Sequence, residues 1–569
     1  MSTINRFSSK ESFDKIKSQM RTTIQTPFYQ NNVENVKTVA YAYERARQSP
    51  GTIELSGLPI YEAEKQGLPE NANALLFNDG NTFGRAASAR RIVGQPNVDL
   101  AHYSALIRDA IYDTRKKKMY HGEVIIGLHR NFMIKAHLLI PENHENILYS
   151  WMLNFQYVNE IYSEIYKHSK KIMEGDIIIF TDPDWTHPDY PLGLAFFDPT
   201  HNCAAILGMK YFGEFKKGTL TLAWGTAARN GYVACHGGLK SYNLPGRKHT
   251  IAVFGLSGSG KSAITHAKHD NKFNVTVLHD DAFIINIEDK SSIALEPTYF
   301  DKTQDYPMDC EDNKYVLTMQ NTGAIMYTDG KVYPVTEDLR NGNGRAIKSR
   351  LWTPDRVDKV DDPINSIFWI MKDPTMPPIL KIKGSALASV MGATLATKRT
   401  SAEKLQPGID PDKLVVEPYA NPFRTYPLSI DYKLFKALFD DEVECYILNT
   451  GHFMGRKVEL KHTLGAIESI IEQKAEFRKW EPFEEMEVMD IDDFDTNLDE
   501  PEYKKEFMRH FVQRIQFVES RQTHNDGIDA LPADAVKSLY NMISQLHDAE
   551  VDMSQMIPPQ TSVAAKSAE

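Results

Sequence analysis

Apolar and polar positions along this chain change period several times, and each change marks a predicted element. Residues 1–48 read as a polar, helical lead-in, and the Gly-, Asn- and Pro-rich text from Thr52 to Val93 reads as loops between short strands. Helical spacing is expected over Ala101–Lys117 and Trp151–Ile172, and strand-like runs over Glu123–Leu128 and Asp176–Thr181. The block Ala204–Ala234 shows several short β-prone runs broken by glycine. After the turn-rich SYNLPGRK (Ser241–Lys248) the character changes. Thr250–Phe254 (TIAVF) is a continuous apolar run fit for a buried strand, GLSGSGKS follows, and Ala263–Lys268 begins a helix. A second apolar run, Val275–Leu278, ends at His279-Asp280-Asp281. Strand, loop, helix, strand is the opening of an α/β nucleotide-binding unit. Further strands are expected at Ser366–Met371 and Glu444–Leu448, with a helix from Leu464 to Lys474.

This pattern predicts an α/β protein with a boundary near residue 241. A mixed α+β unit would span 1–240, a P-loop unit 241–553, and a tail of disordered composition 554–569. At 569 residues, 42% hydrophobic and 25% charged, the chain can bury a large core without disulfides. Its four cysteines (Cys203, Cys235, Cys310, Cys445) are far apart and form no CxxC pair, which argues for a reducing compartment, the cytoplasm, and against a zinc module. The N-terminal text carries no apolar signal core, and no apolar run is long enough to span a membrane. A net charge of −11 disfavours a general nucleic-acid binder but leaves room for a local basic cleft. The acidic stretch Glu481–Glu502 reads as a solvated loop. Its DIDDFD run (Asp490–Asp495) lacks the glycine of a calcium loop.

The chemistry concentrates in Gly255–Ser262, which satisfies G-x-x-x-x-G-K-[ST]. Glycines let successive backbone N–H groups turn inward around phosphate oxygens, and the following helix directs its positive end at the same anion. Gly255, Leu256, Ser257, Gly258, Ser259, Gly260, Lys261, Ser262 and Ala263 are therefore the candidate nucleotide cradle. Lys261 would meet the β- and γ-phosphates, and the Ser262 hydroxyl would meet a metal ion. Asp280 lies 19 residues after Lys261, so the Asp280-Asp281 pair falls where carboxylates hold Mg²⁺ or Mn²⁺ beside a triphosphate.

Taken with these, YFGEFKKG (Tyr211–Gly218) and His236, which lies 19 residues after Lys217, resemble ATP-dependent phosphoenolpyruvate carboxykinase. FGRAASARRIV (Phe83–Val93), EPTYFDKT (Glu296–Thr303), NGR (Asn343–Arg345), MPP (Met376–Pro378) and LNTGHFMGRKVELKHT (Leu448–Thr463) are similar to further segments of that family, in the same order. The resemblance implies a cleft between two lobes and reversible conversion of oxaloacetate and ATP, with GTP second, to phosphoenolpyruvate and carbon dioxide. By the same resemblance, Arg85 and Tyr211 would bind the small acid, and Lys217, His236 and Asp281 would hold Mn²⁺, with Lys216 helping to neutralise Lys217. Two nitrogens and one carboxylate suit Mn²⁺ better than oxygen-loving Mg²⁺. Ser257 would sit near the γ-phosphate, Arg345 would bridge it to the substrate, and Thr463 would lie near the base.

Departures from the family pattern leave two alternatives. Arg85 keeps its place but loses its usual neighbours, Ala282-Phe283 follow the acidic pair, Arg456-Lys457 reverses a Lys-Arg, and PYANPFRTYP (Pro418–Pro427) replaces a threonine-rich stretch. A kinase of the same fold acting on another small acid or a protein serine is the first alternative, and a non-catalytic nucleotide-binding regulator is the second.

Overall fold

The computed structural model describes residues 18–256, 258–338, 342–398 and 414–547. The predicted tail, 554–569, and Ser257 lie outside them. Two eight-stranded sheets organise the molecule. The first includes Met119–His129, Phe132–Pro141, Ile177–Asp182, Cys203–Leu207 and Leu194–Asp198 as its central run. Every residue of its last three strands is buried, because both faces are covered. Side chains alternate accordingly. Ile179, Phe197 and Ile206 pack with the helix Phe212–Arg229, whereas Ile178, Phe180 and Phe196 pack against Tyr103, Ile107 and Ala110.

The second sheet carries the nucleotide motif. Its strand Arg247–Phe254 runs parallel to Ser366–Met371, which runs parallel to Glu444–Asn449. The phosphate loop leaves the C-terminal end of the first of these, the end at which open α/β sheets bind ligands. Ser241–Lys248 is the tip of a hairpin, for Gly238–Leu244 pairs antiparallel with Arg247–Val253. The helix after the loop, Lys261–His266, stops short of the expected Lys268. His269, Asp270 and Asn271 all adopt left-handed backbone there, which no α-helix continues through.

Two expectations are corrected. The block 204–234 is mostly helical, with Phe212–Arg229 forming one helix of 18 residues between two short strands. Its glycines and threonines are poor helix formers, but nearly the whole segment is buried, and tertiary packing overrides propensity. Trp151–Ile172 is not one helix. Glu145–Asn154 ends, Gln156–Tyr157 pairs with Ile125 and Val124 as a short strand, and a new helix, Glu160–Lys167, starts where the Asn159 side chain accepts from Tyr162 N.

Candidate active site

The phosphate loop, the N-terminal turns of the helix Phe212–Arg229, the end of the strand Tyr232–His236 and the paired strands Tyr299–Lys302 and Arg345–Lys348 wall one cavity of about 480 Å³, a size suited to a small ligand and its partner. Arg85, Tyr211, Lys217, His236, Leu256, Gly258, Gly260, Lys261, Ser262, Ala263, Asp280, Asp281 and Arg345 all line it. Lys216, Gly255 and Ser259 stand just behind this wall. Thr463 is buried in the first turn of the helix Leu460–Ile471 and does not line the cavity.

Local geometry explains the gathering. Tyr211 precedes the first residue of the Phe212–Arg229 helix, and Gly213 is required beside it. A Cβ there would lie 2.3 Å from the Tyr211 ring. Consecutive residues on a helix diverge by about 100°, so Lys216 turns inward and is fully buried while Lys217 faces the cavity. His236 ends the strand Tyr232–His236, and its pairing partner is Ala282, the residue after Asp281. Gly237 N donates to Asp281 O at 3.1 Å, which locks the two segments together. His279 accepts from the backbone N–H of Asp281 and of Ala282 through Nδ1, so it fixes the turn that carries the acidic pair.

Asp281 is the hub. Lys217 Nζ lies 2.7 and 2.8 Å from its two oxygens, Lys216 Nζ 2.8 Å from Oδ2, His236 Nε2 3.0 Å from Oδ1, and Lys261 Nζ 3.7 Å from Oδ1. Burial alone would push its pKa up, but these cations outweigh that and hold it well below the usual carboxylate range. Lys216 also pairs with Glu296 at 3.0 Å. Burial pulls on Lys216 too, yet Asp281 and Glu296 keep it above the ordinary lysine value. Its neighbour behaves differently. Burial, against the pull of Asp281 and with help from Lys216 and Lys261, brings Lys217 down to about 8. His236 is brought down to about 4 by burial, then by Lys217 and Lys261, so the imidazole is neutral at pH 7. Its Nδ1 bonds to the Ala420 carbonyl, which assigns the proton to Nδ1 and leaves Nε2 a lone pair facing a carboxylate oxygen.

Two lone pairs 3.0 Å apart call for a cation or a proton between them. Among the described residues, no group of three or more His, Cys, Asp or Glu could hold a metal ion. A metal here must recruit a lysine, and Lys217, already poised to lose its proton, fits that need. Ser262 and Asp280, both on the cavity wall, are the residues able to hold a second ion.

The cradle itself is built from backbone. Gly258 (φ +78°) and Gly260 (φ +94°) occupy left-handed conformations that side chains resist. On the opposite wall, Arg345 is oriented by Asn343, whose Oδ1 accepts from Nε at 3.0 Å. Arg345 Nη2 is buried with no hydrogen-bond partner among the described residues, a donor suited to an anion.

Several lining residues carried no signal. Phe423 sits in PYANPFRTYP, where only the loss of threonines was legible. Its ring lies 4.8 Å from the Arg85 guanidinium and 5.0 Å from Lys217 Nζ. Ala420, in the same stretch, orients His236. Phe300, Asp301, Lys302, Asp305 and Glu417 also line the cavity. Of these, Lys302 lay in a family-like segment without a role attached, and Asp301 is an ion-pair partner of buried Lys348 at 2.7 Å.

Fold and cleft together define a P-loop mononucleotide-binding α/β protein. The comparisons narrow the class. The model of the phosphoenolpyruvate carboxykinase family matches residues 59–495, and the chain belongs to that family. A curated relative in Aeropyrum pernix, named phosphoenolpyruvate carboxykinase (ATP), is 27% identical over 292 residues, or 49% of this chain and 58% of the relative's own length. Among the described residues, no helix is long and apolar enough to cross a membrane.

Proposed function

We propose that this protein couples decarboxylation of oxaloacetate to phosphoryl transfer from ATP, giving phosphoenolpyruvate, carbon dioxide and ADP. One observation carries the reading: Lys217 Nζ at 2.7 Å and His236 Nε2 at 3.0 Å, from two separate segments, both meet the same Asp281 oxygen beside the phosphate loop. A simple nucleotide binder has no need of a lysine whose pKa is brought down to about 8 beside a neutral histidine.

Arg85 and Tyr211 bind and orient the small acid's carboxylate end, with Phe423 holding the Arg85 guanidinium in place. Lys217, His236 and Asp281 are the residues that would hold Mn²⁺, and Ser262 with Asp280 those that would hold Mg²⁺. Bound there, divalent cations supply Lewis-acid stabilisation of developing negative charge. The carbon–carbon bond to the departing carboxylate breaks and its electron pair passes to the enolate oxygen. That oxygen attacks the γ-phosphorus in line while the β–γ bridging bond opens. Lys261 and Arg345 draw charge off the moving phosphoryl group, and losing one such donor typically costs about 2.7–4 kcal/mol of barrier. Burial of the cleft keeps water from protonating the enolate. The four free cysteines suit a cytoplasmic setting.

The test is to supply oxaloacetate with ATP or GTP, in Mn²⁺ and Mg²⁺, and to follow phosphoenolpyruvate. Product formed faster with ATP is the expected result. ATP hydrolysis without phosphoenolpyruvate would point to another acceptor, and binding without turnover to a regulator.

A further inference from the structure

The turn Lys372–Met376, at the C-terminal end of the strand Ser366–Met371, holds three parts of the molecule at once. Its first contact is with the phosphate loop: Lys372 Nζ donates to the Gly258 carbonyl at 2.8 Å. From the neighbouring strand end, Thr450 Oγ1 donates to the Ser259 carbonyl at 2.8 Å, and Thr450 N to Met371 O at 3.1 Å. In each trans peptide the N–H points away from its carbonyl, so the Lys372 contact supports the bond from Ser259 N to Leu256 O at 3.0 Å that closes the loop, and the Thr450 contact turns the Gly260 N–H the other way, as an anion cradle needs. The second contact is with the hairpin His452–Lys457, which contains Arg456 and Lys457. Met454 N donates to Pro374 O at 3.0 Å, and Asn449 Nδ2 bridges Asp373 O, Met376 O and His452 O.

The third contact is with the helix Pro501–Ser520, which lies beyond the matched family segment ending at 495. Asp373 is 1% exposed, and donors saturate its carboxylate. Oδ1 accepts from Thr375 N at 3.0 Å, Thr375 Oγ1 at 2.8 Å and His510 Nδ1 at 2.7 Å, and Oδ2 accepts from Arg514 Nη2 at 2.7 Å. Tyr503 OH adds a bond to Thr375 O at 3.0 Å. The helix thus fixes the turn's backbone, and Lys372 reaches from the turn to the loop. A fully buried carboxylate held by a guanidinium and an imidazole is a costly arrangement to retain merely for packing.

We propose that Lys372 is a positioning residue for the nucleotide's phosphates, and that His510 and Arg514 of the C-terminal helix act on nucleotide affinity through it. The proposal rests on the nucleotide reading given above. The experiment uses the full chain and calorimetric titration with Mg-ATP, together with the KM for oxaloacetate at saturating ATP. Lys372→Met should weaken ATP about tenfold, the scale of one lost charge-assisted hydrogen bond, and leave the oxaloacetate KM unchanged. Lys372→Arg should recover most of the loss. Arg514→Lys should weaken ATP several-fold, and Lys372→Met/Arg514→Lys should be no weaker than Lys372→Met alone. Wild-type affinity in Lys372→Met, a surface-reaching substitution that leaves the core intact, overturns the proposal. So do strictly additive losses in the double variant. If the wild-type chain binds no ATP, the nucleotide reading falls and takes the proposal with it.

Discussion

The phosphate loop and the cluster around Asp281 face the same cavity but are made in opposite ways. The loop is one octapeptide whose working groups are backbone amides, shaped by glycines at φ +78° and +94°. The cluster is made of side chains from a helix, a strand end and a turn, and its working property is a balance of charge. A backbone device is conformational, set by its glycines and by the side chains that hold its carbonyls. A side-chain device depends on what each partner does to its neighbour's proton. Lys216 and Lys217 make the contrast sharpest, since burial pulls both down, yet Lys216, which also pairs with Glu296, ends above the ordinary lysine value and Lys217 below it.

Removing the hub should have the largest effect. Asp281→Asn leaves two buried lysines short of a counter-charge, which should cost about 3–5 kcal/mol of stability and abolish phosphoenolpyruvate formation. Chemical denaturation and the product assay check both. A stable Asp281→Asn variant would show that the cluster is not the charge-balanced unit described here. Next in size, Arg345→Met should lower kcat about 10²–10³-fold, while Arg85→Ala should abolish carboxykinase turnover with ATP affinity near normal. That split separates substrate side from nucleotide side, and equal losses in both would erase the distinction.

The pH dependence of metal binding sharpens the comparison further. Lys217 ligates only after losing its proton, so protons compete with the ion below its pKa. Apparent Mn²⁺ affinity should rise about tenfold per pH unit up to about 8 and then level off. His236, already neutral above about 4, adds no slope in that range. Titration of Mn²⁺ binding between pH 6 and 9 measures this, and Lys217→Met should flatten the profile as well as weaken it. The smallest effect belongs to Phe423→Leu, which forfeits cation–π contacts worth about 0.5–2 kcal/mol and should raise the KM for oxaloacetate several-fold without altering the metal profile.

The same contrast explains what the sequence made legible. The loop and its flanking strand and helix could be read directly because their signal is contiguous, although the helix runs Lys261–His266 where Ala263–Lys268 was expected and extended Ala267 ends it. Asp281 was legible from its place after the next strand, but Lys217 and His236 were reached only through resemblance, since nothing in their spacing says that a helix, a strand and a turn will converge. Phe423 and Ala420 were hidden for a further reason. One works through a ring face and the other through a carbonyl, and neither property distinguishes a residue in a proline-rich segment. The helix Phe212–Arg229 was missed because its glycines and threonines look strand-like until the burial that overrules them is seen. Ser257 lies outside the described residues, so its place at the γ-phosphate stays an expectation.

On the proposed reading, the ammonium of Lys217 and a divalent ion would be alternative occupants of one electrostatic role. Either one screens the Asp281 oxygens from the imidazole lone pair. A chelator-stripped sample should therefore keep its shape, since a proton stands in wherever the metal has left. Exchange between the two would then trade one positive charge for two at a fixed site, with no refolding step to slow it.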